Sequence, residues 1–255
     1  MSIDQLLDLR GQTAIVTGGG AGIGRAIAER LAQAGAAVVV GDLDAVTAQE
    51  VADGIAAAGG SAAAAACNVT LEQDRAAVVD LAVARFDGPT ILVNNAGGGG
   101  PQPFDMPLEK FEWAYELNVF SGFRLCQLCA PLMAEKGHGA IVNISSMAGE
   151  NTNVHMTSYS SSKAAVNHLT RNMAFDLGPR GIRVNAVAPG AIKTHALSTV
   201  LTPEIERQML KHTPLGRLGE AEDIASVVLF LVAPMSSWVS GQVITVSGGG
   251  TQELE

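Results

Sequence analysis

The chain has 255 residues, of which 47% are hydrophobic and only 16% charged, with a formal net charge of −9. That length suits one large α/β domain or two small ones, and so apolar a composition implies a sizeable core, with further surface suited to contacts between subunits. The acidic balance and the lack of any basic stretch argue against a nucleic-acid or anionic-membrane partner, and no apolar run approaches the ~20 residues that span a bilayer.

In chain order, the opening Met-Ser-Ile-Asp-Gln lacks the basic-then-apolar pattern of a signal peptide, so the expectation is a soluble cytoplasmic protein. Short β-branched runs then alternate with longer alanine-rich stretches. Strands are predicted at 13–17, 37–41, 62–68, 91–94, 140–144, 183–188 and 243–246, the third weakened by its alanine tract. Helices are predicted at 22–34, 45–58, 71–86, 108–135, 159–177 and 221–231. Near-continuous apolar strands imply a sheet buried on both faces, and strict β/α alternation implies parallel strands with right-handed crossovers. No linker or charge run divides the chain, so residues 1–255 read as one domain.

One connection breaks this rhythm. About thirty residues, 190–219, separate the sixth strand from the last helix, with a short helix expected at 203–211. In an open α/β sheet, ligands bind beyond the carboxyl ends of strands, so this excursion reads as a lid over a substrate; an ordinary surface excursion is the alternative. Three cysteines in a large domain argue against a disulfide framework. Cys126 and Cys129 form a Cys-x-x-Cys mid-way along a predicted helix, flanked by Leu125 and Leu128 and without a second ligand pair, so both are expected in the core.

The first strand runs into Thr17-Gly18-Gly19-Gly20-Ala21-Gly22-Ile23-Gly24, where a helix opens. Glycines permit close backbone approach, and a helix N-terminus offers free amides to a pyrophosphate. The second strand ends at Asp42, whose carboxylate can accept from ribose hydroxyls and would repel a 2′-phosphate. Leu43 and Asp44 follow, with no basic residue to receive a phosphate, which favours NAD over NADP; Asp44 is the natural cap of the next helix. Further on, Tyr159 and Lys163 stand at i and i+4 on a predicted helix, one turn apart. An ammonium beside a phenol favours the phenolate and lowers its pKa, making a working acid/base for an alcohol proton.

Loop, strand-end aspartate and Tyr-x-x-x-Lys, in that order, resemble the classical short-chain dehydrogenase/reductase family over about residues 11–250. Further matches are Asn94-Asn95-Ala96-Gly97 at the fourth strand, Asn118 in Leu-Asn-Val, Ser146 thirteen residues before Tyr159, and Pro189-Gly190 followed by Ile192 and Thr194. The resemblance implies an α/β, single-domain, Rossmann-type doubly wound seven-stranded parallel sheet with helices on both faces. It implies catalytic roles for Asn118, Ser146, Tyr159 and Lys163, and NAD contacts at Gly18, Gly22, Ile23, Gly24, Asp42, Asn68, Val69, Asn95, Tyr159, Lys163, Ile192 and Thr194, with no metal. In this reading Tyr159 accepts the hydroxyl proton, Lys163 lowers the tyrosine pKa and holds the nicotinamide ribose, Ser146 bonds the substrate oxygen, and Asn118 completes a water-linked proton path. Ser145 is expected to point away from the reaction. Family members commonly form homotetramers through helices 108–135 and 159–177 and the last helix and strand.

Residues 94–107, Glu150-Asn151, 156–159, 202–208 and 238–254 further resemble members of the family that oxidise the 7α-hydroxyl of bile acids with NAD. The implied function is NAD-dependent interconversion of a secondary alcohol and a ketone on an apolar substrate such as a bile acid. The alternatives are another steroid position, a polyol or a 3-oxoacyl thioester, and, from a different class, a non-catalytic nucleotide-sensing module. Several residues depart from the family pattern. Asn68 replaces an aspartate near the adenine, where its carbonyl is expected to accept from the amino group. Pro89-Thr90 replaces a valine–aspartate pair whose hydrogen-bonding or packing role is expected to be lost, and His195 follows Thr194 where an aspartate is common. Gly122 and Gly149 are smaller than expected, which predicts an altered pocket shape. Of the scattered histidines, His155 and His195 are candidates to line that pocket.

Overall fold

A computed structural model describes residues 2–152, 154–194, 197, 201–211 and 213–250. After a short leading turn, α1 (Ile3–Leu6), the alternation runs β1 (Thr13–Thr17), α2 (Gly22–Gln33), β2 (Ala37–Asp42), α3 (Ala45–Ala57), β3 (Ser61–Ala66), α4 (Glu72–Phe86) and β4 (Ile91–Asn94). It continues with α5 (Leu108–Tyr115), a π-helical turn (Glu116–Phe120), α6 (Ser121–Glu135), β5 (Gly139–Ile144), α7 (Thr157–Leu177), β6 (Ile182–Pro189), α8 (Pro203–Leu210), α9 (Ala221–Val232) and β7 (Val243–Val246). The strands form a seven-stranded sheet in the order β3-β2-β1-β4-β5-β6-β7, every neighbouring pair parallel. Strand order reverses between β1 and β4, which opens a crevice at their carboxyl ends.

Alternate strand residues feed two separate cores, as a period of two demands. Val16, Val38, Val40 and Val93 pack with Ile27 and Leu31 of α2, Val51 of α3 and Val228 of α9. Ile15, Val39 and Leu92, one residue out of step, pack with Val78 of α4, Leu125 and Cys129 of α6 and Met173 of α7. Cys126 and Cys129 are buried free thiols in this second layer, as expected from their flanking leucines.

The structure corrects the sequence reading at several points. The predicted 108–135 helix is interrupted by the π turn, in which Asn118 is buried. A wide turn of this kind has near-helical φ/ψ and spans only five residues, so a pattern of residues does not register it. Thr90 keeps a hydrogen-bonding role: its hydroxyl accepts from Thr13 N at 3.0 Å and donates to Thr13 O at 3.4 Å, tying β4 to β1. Gly122 and Gly149 serve packing. A Cβ at 122 would lie 3.3 Å from the Asn94 amide carbon, and one at 149 would lie 2.7 Å from the Lys163 backbone.

Candidate active site

At the end of β1 the chain turns through Gly18 and Gly22, with φ of +61° and +51°, a region that favours glycine. The Thr17 hydroxyl donates to Val93 O at 3.3 Å and accepts from the backbone N–H of Asn95 and Ala96, both at 3.1 Å. Asn95 Nδ2 donates to Thr17 O and Gly18 O at 2.9 and 3.0 Å. These bonds lash the glycine loop to the end of β4. A Cβ on Gly24 would strike the Gly18 carbonyl and Asn95, and one on Gly20 would strike the Thr47 hydroxyl. Ala21, at the N-cap of α2, supplies no side-chain cap, so the first-turn amides at Gly22, Ile23 and Gly24 receive no oxygen from that position.

Asp42 closes β2 beside this loop. Its Oδ2 accepts from Gly20 N at 2.8 Å and its Oδ1 from Asp44 N at 3.0 Å. Asp44 caps α3 by accepting from Val46 N and Thr47 N. Across the crevice, Ile192 forms a parallel bridge with Gly219, and Thr194 is brought over the start of α2, its Cγ2 3.5 Å from where a Gly22 Cβ would be. His195 lies outside the described residues. Val69 is buried after β3, its carbonyl accepting from Arg75 Nη1 at 2.6 Å. The glycine cradle, the amides of α2 and the Asp42 carboxylate together fit a dinucleotide, with its pyrophosphate on the loop and a ribose at Asp42. Asn68 departs from expectation: its side-chain oxygen already accepts from Thr70 N at 3.1 Å and Thr70 Oγ1 at 2.8 Å.

The other half of the site is built on β4, β5 and α7. Lys163 is buried, with Nζ donating to Ile144 O at 2.9 Å and standing 5.8 Å from the centre of the Tyr159 ring. Burial pushes this ammonium down to about 8. Tyr159 is half-buried, and burial raises its phenol above the ordinary range while a hydrogen bond with the Ser146 hydroxyl lowers it. The expected depression by Lys163 does not appear in the chain by itself: loss of water around the phenolate outweighs the Ser146 hydrogen bond, and Lys163 Nζ stands 5.8 Å from the ring centre. Ser146 is held at the start of a short 3-10 turn, its Oγ accepting from Ala148 N at 3.1 Å. Ser145 points the other way and donates to Lys163 O at 3.1 Å, anchoring α7 to β5.

Asn118 joins this group through its amide. Its Oδ1 accepts from Gly98 N at 3.0 Å, and its Nδ2 donates to Gly98 O at 2.9 Å and to Ser162 Oγ at 3.1 Å. Ser162 in turn donates to Tyr159 O at 2.7 Å. All four expected catalytic residues thus converge, linked through one segment of backbone. A Cβ on Gly97 would sit 2.8 Å from Asn118 Oδ1 and 3.1 Å from Lys163 Nζ; one on Gly99 would sit 2.5 Å from Tyr159 Cδ2. Sequence reasoning missed Ser162, one of three indistinguishable serines between Tyr159 and Lys163, and the close contacts of the strap of Gly97, Gly98 and Gly99 with Asn118, Lys163 and Tyr159. The run of four glycines at 97–100 was the signal for those contacts. His155 is exposed, with a φ of 60°, and its carbonyl accepts from Gln102 N at 2.7 Å. A cavity of about 590 Å³ lined by Leu9, Ile91, Gly139, Arg183 and Trp238 opens at the opposite, amino-terminal edge of the sheet, away from this group.

A parallel doubly wound sheet with a glycine loop after β1 and a Tyr–Lys pair at its carboxyl edge defines the class of nucleotide-binding dehydrogenase folds. The chain belongs to the short-chain dehydrogenase/reductase family. A family profile described as enoyl-(acyl carrier protein) reductase matches residues 18–251. The chain is 59% identical over 248 residues, 97% of each sequence, to a 7α-hydroxysteroid dehydrogenase of Escherichia coli strain K12. It is 40% identical to a 4-formylbenzenesulfonate dehydrogenase of Comamonas testosteroni, over 95% of this chain and 99% of that one. A solved structure of 7α-hydroxysteroid dehydrogenase complexed with NADH and 7-oxo glycochenodeoxycholic acid superimposes with a TM-score of 0.97 at 58% identity, covering 100% of both chains.

Proposed function

We propose that this chain oxidises the 7α-hydroxyl of a bile acid to the ketone with NAD, and catalyses the reverse reduction. What carries the substrate assignment is full-length likeness to the enzyme solved with NADH and a 7-oxo bile acid. The reaction assignment is supported by the convergence of Ser146, Tyr159, Lys163 and Asn118. Gly18, Gly22, Ile23, Gly24 and Asn95 would hold the pyrophosphate end, Asp42 the adenosine ribose, Asn68 and Val69 the base side, and Ile192 and Thr194 the nicotinamide end. Bound NAD supplies the acceptor for the hydride leaving the carbinol carbon. Ser146 donates a hydrogen bond to the substrate oxygen and steadies charge developing there. Tyr159 takes the hydroxyl proton in oxidation and returns it in reduction. Lys163, mostly protonated at neutral pH, keeps a positive charge behind that phenol. Asn118 holds the Gly98 backbone and, through Ser162, the first turn of α7, so the proton-handling groups keep their spacing.

Segment 190–219 is the proposed lid. Its two ends are clasped by Lys193 N to Gly219 O at 2.7 Å and Gly219 N to Ala191 O at 2.9 Å, which leaves the intervening chain, including α8, to cover a substrate. A cytoplasmic homotetramer is the proposed form. Exposed Trp113, Phe120 and Phe123 in the 108–135 region and Phe175 on α7 support subunit contacts there, which light scattering can check. No helix among the described residues is long and apolar enough to cross a membrane.

The test is NADH formation at 340 nm with a panel of bile acids. A 7α-hydroxylated bile acid should be oxidised and its 7-deoxy analogue should not. Equal turnover of the 7-deoxy analogue would overturn the 7α assignment, and a clear preference for NADP would overturn the role given to Asp42.

A further inference from the structure

Asn68 leaves β3 next to the end of β2. Asp42 pairs with Ala66 in the sheet, so Asn68 lies two residues beyond the level of Asp42 on the adjacent strand. The Asn68 backbone N–H donates to Asp74 Oδ2 at 2.9 Å, which holds the residue against α4. Its side-chain oxygen accepts from both the N–H and the hydroxyl of Thr70. A backbone N–H can only donate, so the orientation of this amide is not open to an oxygen–nitrogen exchange. Oδ1 must face Thr70, and Nδ2 must face away from it. Asn68 is half-buried, and Nδ2 makes no hydrogen bond among the described residues and is not a buried atom, so its hydrogens are left to solvent or a ligand beyond the strand end.

With the pyrophosphate on the glycine loop and a ribose at Asp42, the base attached to that ribose extends over the ends of β2 and β3. We propose that Asn68 is a specificity-determining residue for this base and that it offers a hydrogen-bond donor where a 6-amino purine also offers a donor. This deepens the NAD reading above and rests on it. Two N–H groups facing each other make no bond, so the chain exerts no selection for the 6-amino group through this residue. A 6-oxo purine presents an acceptor at the same place and pairs with Nδ2. Replacement by aspartate keeps the shape and the Thr70 bonds, and converts the one outward atom from donor to acceptor.

The experiment is equilibrium binding, by nicotinamide fluorescence, of NADH and of reduced nicotinamide hypoxanthine dinucleotide to the wild-type chain and to Asn68→Asp. The quantity read is the ratio of the two dissociation constants, in which contacts shared by both bases cancel. One hydrogen bond is lost and one gained by opposite ligands, so Asn68→Asp should shift the ratio toward NADH by about tenfold or more. A ratio unchanged within twofold, with both dinucleotides bound, overturns this proposal and leaves the NAD reading standing. Failure of the wild-type chain to bind either dinucleotide overturns the NAD reading and this proposal with it.

Discussion

Gly99→Ala should cripple the chemistry while sparing the cofactor. A Cβ at position 99 would lie 2.5 Å from Tyr159 Cδ2 and 3.1 Å from Tyr159 Cβ and Cγ. Carbon atoms in contact prefer about 3.5–4.0 Å, so the ring or the strap must give by roughly 1 Å. Gly99 also has a φ of +152°, where a residue other than glycine is strained by about 1–3 kcal/mol. The strap therefore yields only at a stability cost, and much of the displacement falls on the tyrosine. A misplacement of about 1 Å at a reacting group costs on the order of a hundredfold in rate. The expected result is kcat down about a hundredfold with a 7α-hydroxylated bile acid and NAD. NADH binding, read by fluorescence, should stay within twofold, because the glycine loop and Asp42 do not touch residue 99. Circular dichroism establishes that the variant is folded at the assay temperature. A folded Gly99→Ala enzyme with kcat within threefold of the wild type would refute the reasoning, since the ring would then tolerate the added carbon.

Other outcomes follow from the same geometry. Tyr159→Phe removes the proton acceptor and should lower kcat by about a thousandfold with NADH binding intact; near-normal turnover sinks the mechanism. Asp42→Ala removes the carboxylate that would repel a 2′-phosphate, so the preference for NAD over NADP should narrow by about tenfold, and an unchanged preference places the discriminating contact elsewhere. The raised phenol of Tyr159 is protonated at neutral pH, so kcat/KM for oxidation should rise from pH 7 towards 10 while that for reduction does not. A flat oxidation profile contradicts that assignment. Stability should also depend on alkaline pH, with two opposing signs. Burial lowers Lys163 to about 8, so the unfolded chain binds the extra proton between about 8 and 10.5, and stability rises there by about 1 kcal/mol per pH unit. Burial raises Cys126 to about 12 and Cys129 further, so above 9.0 the folded chain holds protons that the unfolded chain loses, and stability falls by about 3 kcal/mol per pH unit for the two together. In Cys126→Ala/Cys129→Ala the net fall between pH 9 and about 10.5, measured by urea titration, should shrink to near zero, because the Cys67 thiol, raised by burial to about 11, then offsets Lys163; an unchanged slope would point to other groups.

The parts of this molecule that were readable in advance are those whose chemistry is local. β1 and β4 lie where their apolar runs place them, because a strand buried on both faces needs only consecutive apolar residues, and the partly exposed edge strand β7 lies where its β-branched run places it. The glycine loop was readable because a Cβ at Gly24 meets the Gly18 carbonyl, a constraint spanning six residues. The Asp44 cap reaches two and three residues forward. Tyr159 and Lys163 share a helix face by spacing alone. The π turn at 116–120 was not readable, and the bonds that its Asn118 makes reach Gly98 and Ser162, 20 and 44 residues away. Thr90 was misjudged for the same reason: its partners sit 77 residues upstream.

Tyr159 shows the deeper limit of sequence patterns. The i, i+4 spacing correctly put a cation near the phenol, and proximity of opposite charges has only one sign. Burial has the other sign, and its size depends on what surrounds the ring: α7 itself and the 3-10 turn after Ser146, which both follow β5, and the Gly97–Gly99 strap, which follows β4. Asn68 repeats the lesson with hydrogen bonds in place of charge. Its identity says that it can both donate and accept; only the Thr70 N–H says which end faces outward. Residue type and spacing thus establish which groups meet at this site, whereas the direction of each proton and hydrogen bond is set by neighbours that the fold brings in from elsewhere.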